Sequence, residues 1–406
     1  MNNKKQVNRR AITSAYLILT ENCNLRCTYC FEGGTRCVTK YMSKEVAFKT
    51  VDFLLSQAVE NDVDDIKITF FGGEPMLCTD LMIDIMNYAE EKAKAVGKDT
   101  KYSIITNGTI YNEKVEKFLD VWRGYKGEVD IQLSIDGIPK IQNVNRPCAN
   151  KELQSSQLVE TAVKKFKEYF KRYNLNRENL HIHACVSKAS LPYIYDSFVY
   201  FTRELDIINS KFAWVAEDDW DDNDLKIFSN QMQQIIKRLT ETTTNLNRFP
   251  FKHFTKSSGC SAGQNLIAVD TEGNIYPCHR FFFYNIDHRQ DFILGNVSDG
   301  IIAKEKREQY IGIDYTKIAP EACQVCIAAN NACTGSIYNQ PNEYGAKFMN
   351  IINQYYYHFS DLIDKKVQLD TLKKTAIIIE ELSQQIQTQS DKIKNLEERV
   401  KTLETS

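Results

Sequence analysis

The stretch Cys23-Asn24-Leu25-Arg26-Cys27-Thr28-Tyr29-Cys30 places three cysteines within one short segment, directly after the apolar run Ala15–Thr20. A loop this tight can present three thiolates to one small metal centre, but it has no fourth thiolate to offer. A four-iron cluster takes one ligand per iron, so three cysteines would leave one iron open to a small molecule. Spacing alone also allows Cys27 and Cys30 to be half of a zinc site. A disulfide would need an oxidising compartment, and nothing in the sequence indicates secretion.

The composition is that of a globular protein with two or three structural units. The chain has 406 residues, of which 43% are hydrophobic and 26% charged, and its net charge of −2 gives no general reason to expect nucleic acid as a partner. The basic N-terminal segment is followed by too short an apolar run for a signal peptide, and no segment approaches the length of a membrane span. Because 12 cysteines occur without an export signal, we expect a cytoplasmic protein that uses some of them for metal ligation.

Short β-rich runs alternate with longer amphipathic stretches over the first half of the chain. The predicted strands are Ala15–Thr20, Ile66–Phe71, Tyr102–Thr106, Val129–Ile135, His181–Ser187 and Lys211–Val215. The predicted helices between them include Ser43–Glu60, Leu81–Ala95, Asn112–Asp120, Gln157–Tyr173 and Leu191–Leu205. Repeated strand–helix units predict a parallel sheet with right-handed crossovers, here an α/β fold with a partial (β/α)6 TIM-like barrel. In such barrels the chemistry lies at the carboxyl ends of the strands.

The conspicuous polar and glycine-rich motifs fall at those strand ends. The three cysteines follow the first strand, Phe71-Gly72-Gly73-Glu74-Pro75 ends the second, Thr106-Asn107-Gly108 ends the third, and Ser134 with Asp136 ends the fourth. Each motif by itself is more simply read as turn chemistry. Their equivalent positions in the predicted topology favour one shared site.

The pattern C-x3-C-x-Y-C resembles the signature of the radical S-adenosylmethionine (SAM) enzymes. In that family the open iron of a 4Fe–4S cluster binds the methionyl amino and carboxylate groups of SAM, and reduction cleaves SAM to methionine and a 5'-deoxyadenosyl radical. The resemblance implies that Cys23, Cys27 and Cys30 bind the cluster. It also implies SAM contacts by Gly72, Gly73 and Glu74 to the amino group, Ser134 to the ribose and carboxylate region, Arg146 to the carboxylate, Tyr29 near the adenine, and Asn107. A surface arginine is the commoner explanation for Arg146.

A second set of cysteines follows in the C-terminal half. A predicted β-hairpin around Asp270–Gly273 would bring Cys260 and Cys278 together, and Cys323, Cys326 and Cys333 come later. Four of these thiolates could instead form a zinc site. The arrangement resembles the SPASM and twitch extensions of radical SAM enzymes, which carry auxiliary 4Fe–4S clusters. Ile337 stands where the full SPASM pattern has a further cysteine, so we expect at least one auxiliary cluster, and a second remains possible.

The remaining cysteines are scattered, and we interpret Cys37, Cys78, Cys148 and Cys185 as buried small apolar residues. Anaerobic sulfatase-maturating enzymes, which this chain resembles in layout, have an aspartate directly after the cysteine equivalent to Cys278. Here that residue is His279, a weak candidate for the catalytic base.

Residues 366–403 have a different periodicity. Leu372, Ile379, Ile386, Ile393 and Val400 recur every seven residues, and Thr375, Leu382, Gln389, Leu396 and Leu403 occupy the intervening d positions. This pattern is typical of a two-stranded parallel coiled coil. We predict a homodimer or a partner protein at this segment. The alternative is a single helix folded back on the barrel.

The predicted organisation is a radical SAM core at 1–215, a linker and helix at 216–259, an auxiliary iron–sulfur domain at 260–345 and a C-terminal helix at 346–406. The resemblance implies an enzyme that modifies a ribosomally made peptide, with a thioether or other side-chain crosslink favoured. It also implies an electron donor such as flavodoxin or ferredoxin. Formylglycine formation in a sulfatase is the alternative reaction. A non-catalytic iron–sulfur scaffold or regulator, acting through the coiled coil, is the alternative of another class.

Overall fold

A parallel β-sheet is the centre of the fold. The structure is a computed structural model that describes residues 11–30, 39–215, 218–251, 261–283, 289–311 and 343–404. Its first six strands are β1 (Ser14–Ile18), β2 (Asp65–Phe71), β3 (Asp99–Thr106), β4 (Ile131–Ser134), β5 (Leu180–Val186) and β6 (Ser210–Trp214). They pair in chain order, each parallel to the next. The predicted α/β fold and all six predicted strands are therefore confirmed.

Helices connect consecutive strands. They are α1 (Lys44–Glu60), α2 (Thr79–Ala95), α3 (Glu113–Lys126), α4 (Pro139–Asn145), α5 (Ser155–Arg172) and α6 (Ile194–Val199). Local sequence fixes their ends: the Ser43 hydroxyl accepts a hydrogen bond from the Val46 backbone N–H, and α3 ends at Gly127, whose φ of 67° is left-handed. The single helix predicted at Leu191–Leu205 is instead a 3-10 turn (Leu191–Tyr193), α6 and a π-helical segment (Tyr200–Glu204).

The core lies between the sheet and these helices. Ile68, Phe70 and Ile104 of the strands and Leu54 and Met86 of the helices are fully buried there. Since buried apolar area drives folding, this layer supplies much of the stability that holds the strand ends in place. The other face of the sheet is more polar and partly exposed.

The sheet continues beyond β1 instead of closing on β6. The further strands are β7 (Leu266–Val269), β8 (Asn274–Tyr276), β9 (Gly295–Asn296) and β10 (Gly300–Ile301), in the order β10-β9-β8-β7-β1. The hairpin predicted around Asp270–Gly273 is thus present, as β7 and β8 paired antiparallel. Its strand β7 pairs in parallel with β1, so the hairpin extends the barrel sheet and does not form a separate one. The domain boundaries proposed from the sequence stay predictions.

Four helices complete the described part: α7 (Asp222–Thr242), α8 (His279–Phe283), α9 (Lys304–Glu308) and α10 (Glu343–Glu404). The first part of α10 packs on α7 and beside the end of β6, where Phe348 is buried against Trp214, Trp220 and Phe228. Beyond Lys366 the same helix leaves the barrel, so only its first part folds back. In the described ranges, no helix has the length and hydropathy of a membrane span.

Candidate functional site

The cysteine loop lies at the carboxyl end of β1 and is held by a strap formed by residues 145–149. The backbone N–H groups of Arg26 and Thr28 donate to the carbonyls of Pro147 (2.7 Å) and Asn145 (2.9 Å), and that of Ala149 donates to the carbonyl of Asn24 (2.9 Å). The thiols of Cys23, Cys27 and Cys30 are all partly exposed. The loop thus takes its shape from a segment more than a hundred residues away and keeps its thiols accessible.

The two glycines after β2 hold the segment that leads into this loop. The Gly73 N–H donates to the Thr20 carbonyl (2.8 Å), and the Glu74 N–H donates to the Asn22 carbonyl (2.9 Å). A Cβ on Gly72 would lie 2.4 Å from the Thr20 oxygen, and one on Gly73 would lie 2.2 Å from the Asn22 oxygen. Gly72 also has a φ of 131°, which side chains disfavour. Both positions therefore require glycine because the two backbones touch.

The Glu74 carboxylate is turned inward. Its side chain is fully buried and accepts hydrogen bonds from the Thr106 hydroxyl (2.6 Å) and from the backbone N–H groups of Asn107 (2.8 Å) and Met76 (2.9 Å). Burial raises the pKa of Glu74 to about 7, although these hydrogen bonds act in the opposite direction. The carboxylate joins the ends of β2 and β3. The predicted contacts of Gly72, Gly73 and Glu74 with SAM stay predictions.

Asn107 extends this network to the cysteine loop. Its amide nitrogen donates to the Asn24 side-chain oxygen (2.8 Å) and lies 3.8 Å from the Cys23 sulfur as a donor. Its amide oxygen accepts from the backbone N–H (3.0 Å) and the hydroxyl (2.6 Å) of Thr109. Asn107 is thus positioned to donate a hydrogen bond to a Cys23 thiolate.

A buried ion pair lies on the opposite side of the loop. Arg146 and Asp136 are 8% and 2% exposed, and Arg146 Nη2 is 3.0 Å from Asp136 Oδ1. The Asp136 carboxylate also accepts from the Tyr29 hydroxyl, the Cys185 backbone N–H (2.9 Å) and the Asn145 side chain (3.3 Å). The sequence placed Asp136 at a strand end but did not identify it as a site residue. The structure makes it the anchor of this side.

The two terminal nitrogens of the Arg146 guanidinium each lie near a sulfur atom. Nη1 is 3.9 Å from the Cys27 sulfur and Nη2 is 3.8 Å from the Cys185 sulfur, while the group lies 5.5 Å from the centre of the Tyr29 ring. Burial opposes its charge, but Asp136 and Tyr29 keep the pKa of Arg146 well above its ordinary value. Within the described residues, the buried Nε has no hydrogen-bond partner. Such an N–H costs about 1–3 kcal/mol if left unsatisfied, so this atom fits an anionic ligand.

Tyr29 contributes its side chain to this ion pair. Burial raises the pKa of Tyr29 well above its ordinary value, so the phenol keeps its proton and donates a hydrogen bond to the Asp136 carboxylate. This fixes the backbone between Cys27 and Cys30. The predicted position of Tyr29 near an adenine stays a prediction, one that involves its backbone.

The inner face of β5 carries a row of partly exposed residues that the sequence did not identify as functional. His181, His183 and Cys185 alternate with buried apolar residues, and Ser134 of β4 pairs with His183. Burial, and then the charge of Arg146, lower the pKa of His183 to about 4, so the ring is neutral near pH 7. The sequence could have indicated this row, because polar residues occur at every second position of His181–Cys185 and so lie on one face of the strand.

Of the three scattered cysteines that the structure describes, Cys185 is the one that is not fully buried. Cys78 and Cys148 are buried as expected, and Cys37 lies outside the described residues. Cys185 is only partly buried and lies beside Arg146. Burial raises the pKa of Cys185 to about 12, so its thiol remains protonated next to the cysteine loop.

Only part of the second cysteine set can be located. Cys278 is buried directly after β8, whereas Cys260, Cys323, Cys326 and Cys333 lie outside the described residues. His279 packs its ring 4.5 Å from that of Tyr16 and 5.0 Å from that of Phe71. Burial lowers the pKa of His279 to about 3, so its imidazole is neutral at pH 7 and is a weak base.

The three thiols of the cysteine loop can be compared with what a metal cluster requires. Among the residues that the structure describes, no three His, Cys, Asp or Glu side chains converge closely enough to hold one metal ion. A four-iron cluster does not need that convergence, because each thiolate binds a different iron. Three accessible thiols on one loop, with N–H donors directed at two of them, therefore fit such a cluster.

Comparisons with known proteins bear on the same region. Residues 17–179 match the family model described as the Radical SAM superfamily. The cysteine-type anaerobic sulfatase-maturating enzyme of Clostridium perfringens (strain 13 / Type A) is 26% identical over 335 residues, which cover 76% of this chain and 84% of that protein.

Two solved structures share the fold. Native anSMEcpe with bound AdoMet and Kp18Cys peptide has a TM-score of 0.66 and 22% identity, covering 87% of this chain and 99% of that one. Streptococcus suis SuiB bound to its precursor peptide SuiA has a TM-score of 0.51 and 16% identity, covering 82% of this chain and 74% of that one. At these identities the likeness concerns the fold alone.

Proposed function

The chain belongs to the radical SAM superfamily, and from that premise we propose that it modifies side chains of a peptide or protein substrate. It is an enzyme whose cofactors are a 4Fe–4S cluster and SAM. When bound, these cofactors supply a carbon-centred radical that removes a hydrogen atom from an unactivated C–H bond. The chain's own residues must therefore hold the cofactors, orient the substrate and keep water out.

Cys23, Cys27 and Cys30 are the proposed cluster ligands. Their support is a loop fixed by the 145–149 strap on one side and by Gly72–Gly73 on the other, so the thiols are ordered by contacts that need no ligand. The Asn107 amide and the Arg146 guanidinium each direct an N–H at one of these sulfurs. Hydrogen bonds of this kind stabilise thiolate charge.

Arg146 carries the proposed SAM site. Its buried Nε has no partner among the described residues, and Asp136 holds the guanidinium in place beside Cys27. An arginine so positioned can bind the methionyl carboxylate of SAM next to the cluster. We assign the amino group to the segment formed by Gly72, Gly73 and Glu74, and the ribose to the region of Ser134.

The substrate is proposed to bind at the face of the sheet that is not covered by α1–α5. That face presents polar side chains such as Ser103, Gln132 and His183, which can exchange hydrogen bonds with peptide groups. The fold is shared with anSMEcpe and SuiB, whose solved structures contain bound peptides. A thioether or other side-chain crosslink is our leading reaction, and we propose an electron donor such as flavodoxin or ferredoxin.

We place at least one auxiliary 4Fe–4S cluster at the second cysteine set, with ligands drawn from Cys260, Cys278, Cys323, Cys326 and Cys333. Cys278 follows β8, whose hairpin partner β7 pairs with β1. Because β8 runs antiparallel to β7 and β7 runs parallel to β1, Cys278 lies toward the amino end of β1, whereas the first cysteine loop follows its carboxyl end.

Formylglycine formation is the second candidate reaction. It is favoured by the similarity to the Clostridium perfringens sulfatase-maturating enzyme. In this chain, however, the position after Cys278 is a partly buried histidine whose pKa is lowered to about 3, which makes it poorly suited to accept a proton near neutral pH. We therefore place this reaction behind crosslinking.

Anaerobic reconstitution tests the proposal. We expect about eight irons per chain, four for each of two clusters, and release of 5'-deoxyadenosine under dithionite. Cys27→Ala should abolish that release, whereas Cys278→Ala should retain much of it and stop product formation. About four irons would indicate that the second site lacks a cluster, and no release at all would favour a non-catalytic scaffold.

The two candidate reactions leave different products. With a cysteine-containing peptide, a crosslink removes two hydrogen atoms and gives no carbonyl, whereas formylglycine formation replaces the thiol with an aldehyde. Mass spectrometry with a hydrazide probe separates them. A hydrazide-reactive product would overturn our order of preference.

A further inference from the structure

The distal half of α10 exposes an apolar stripe that the barrel does not cover. The Lys366 ammonium donates to the Thr240 carbonyl at 2.9 Å, and beyond this point the helix projects from the fold. Leu372, Ile379, Leu382 and Ile386 are 66%, 58%, 52% and 69% exposed. Large apolar side chains aligned on one face of an isolated helix mark an interaction surface.

This stripe lies on a long and uninterrupted helix. From residue 346 to 404 the sequence of α10 contains neither glycine nor proline, and residues 367–404 span about 57 Å at the helical rise of ~1.5 Å per residue. We call residues 367–404 the stalk. Because the same helix is docked on α7 before residue 366, whatever binds the stalk is connected to the barrel through continuous helix.

We propose that the stalk pairs with the stalk of a second copy of this chain, parallel and in register. Isoleucine or valine fills four of the five a positions and leucine occupies several d positions, a pattern that favours two strands. The two polar d positions, Thr375 and Gln389, determine the partner. In a parallel, in-register pair each one meets its own equivalent, and the two Gln389 amides can hydrogen-bond to each other within the seam.

In a pair with an unrelated partner or with an antiparallel copy, Thr375 and Gln389 would not meet their own equivalents. Pairing the full length of two stalks antiparallel would place Gln389 beside Ile386 of the second copy, leaving its amide in an apolar layer. A buried amide without a partner costs about 1–3 kcal/mol, and the symmetric pair would contain two of them. The polar positions therefore specify both orientation and register.

The charges at the heptad edges support the same arrangement. In the parallel register, the g position Lys392 precedes the e position Glu397 of the second copy, and the g position Arg399 precedes Glu404 in the same way. Both pairs are of opposite sign, as favoured in parallel coiled coils. In the antiparallel arrangement these charges would face uncharged residues. A parallel pair also places both barrels at the same end of the stalk.

The mass of the full-length protein in solution is the first test. Light scattering at low micromolar concentration should give twice the chain mass of 46.9 kDa. Ile386→Lys places a charge at an a position and should halve the measured mass. Gln384→Lys adds the same charge at the outward f position and should leave the dimer intact. A monomeric wild type, or equal effects of the two variants, would overturn the proposal.

Small-angle X-ray scattering of the same dimer tests the orientation. A parallel pair gives two adjacent barrels and a single main peak in the distance distribution. An antiparallel pair would separate the barrels by about the stalk length of ~57 Å and add a second peak at long distance. That second peak, or a mass above two chains, would refute the parallel dimer, while Gln384→Lys should scatter like the wild type.

Discussion

Replacing Asp136 by asparagine removes the negative charge next to Arg146 while keeping the side-chain shape. The Asp136 carboxylate is 2% exposed and accepts from Tyr29, Arg146, Cys185 and Asn145. Breaking a buried ion pair by removing one partner costs about 3–5 kcal/mol, because the other charge is left uncompensated. The asparagine oxygen can still accept from part of these donors, so we expect Asp136→Asn to lower the free energy of unfolding by about 3 kcal/mol.

Urea unfolding of the anaerobic, ligand-free protein measures this loss. The matched control is Asp130→Asn, because the Asp130 side chain is 39% exposed and lies 3.5 Å from His181. An exposed pair of this kind contributes less than about 1 kcal/mol. If the two variants lose similar stability, the Arg146–Asp136 pair is not the desolvated anchor that its geometry indicates.

Three further perturbations test other parts of the structure. Gly73→Ala puts a Cβ 2.2 Å from the Asn22 carbonyl oxygen and should reduce the iron bound after reconstitution. The control Gly124→Ala meets nothing within 4 Å and should stabilise α3 by about 1 kcal/mol, and equal iron contents in the two variants would show that the close approach at Gly73 does not matter for cluster binding. Burial raises the pKa of Glu74 from 4.5 to about 7, so as the pH rises the unfolded chain loses this proton before the folded chain does. The free energy of unfolding should therefore fall by up to about 3 kcal/mol between pH 4.5 and 7, and Glu74→Gln should remove this pH dependence. Phe348→Ala should lower the free energy of unfolding in urea by about 3–5 kcal/mol because the Phe348 side chain is 1% exposed. The control Tyr357→Ala changes a 55% exposed residue and should lower it far less, and similar losses would show that α10 is not docked at Phe348.

The strand ends could be predicted because two local rules agree. Apolar runs of the right length predict the strands, and parallel strands present their carboxyl ends at one edge. The six predicted strands differ from the observed ones by no more than a few residues, as for Tyr102–Thr106 against Asp99–Thr106. The helical segment predicted at Leu191–Leu205 is present, but its type changes from a 3-10 turn that contains Pro192, through α6, to a π-helix at its end.

The side-chain network of the site could not be predicted in the same way. Tyr29 and Asp136 are 107 residues apart, and Asp136 and Cys185 are 49 apart, so no periodicity relates them. The SAM contact of Glu74 stays a prediction, and the sequence did not indicate that its carboxylate joins β2 and β3. The residue type was informative in each case, whereas the direction of the side chain depends on packing that only the folded chain defines.

Asp136 also explains how Arg146 can contact the Cys27 thiol and bind a ligand at the same time. Arg146 carries a buried positive charge that faces Cys27 through Nη1 and leaves Nε for a ligand. Without Asp136, that charge would be costly to bury before any anion binds, and the guanidinium would be free to turn toward solvent. The Arg146–Asp136 pair is therefore preorganised: the carboxylate stabilises the arginine in the ligand-free protein and leaves its other N–H groups directed at the thiol and at the ligand.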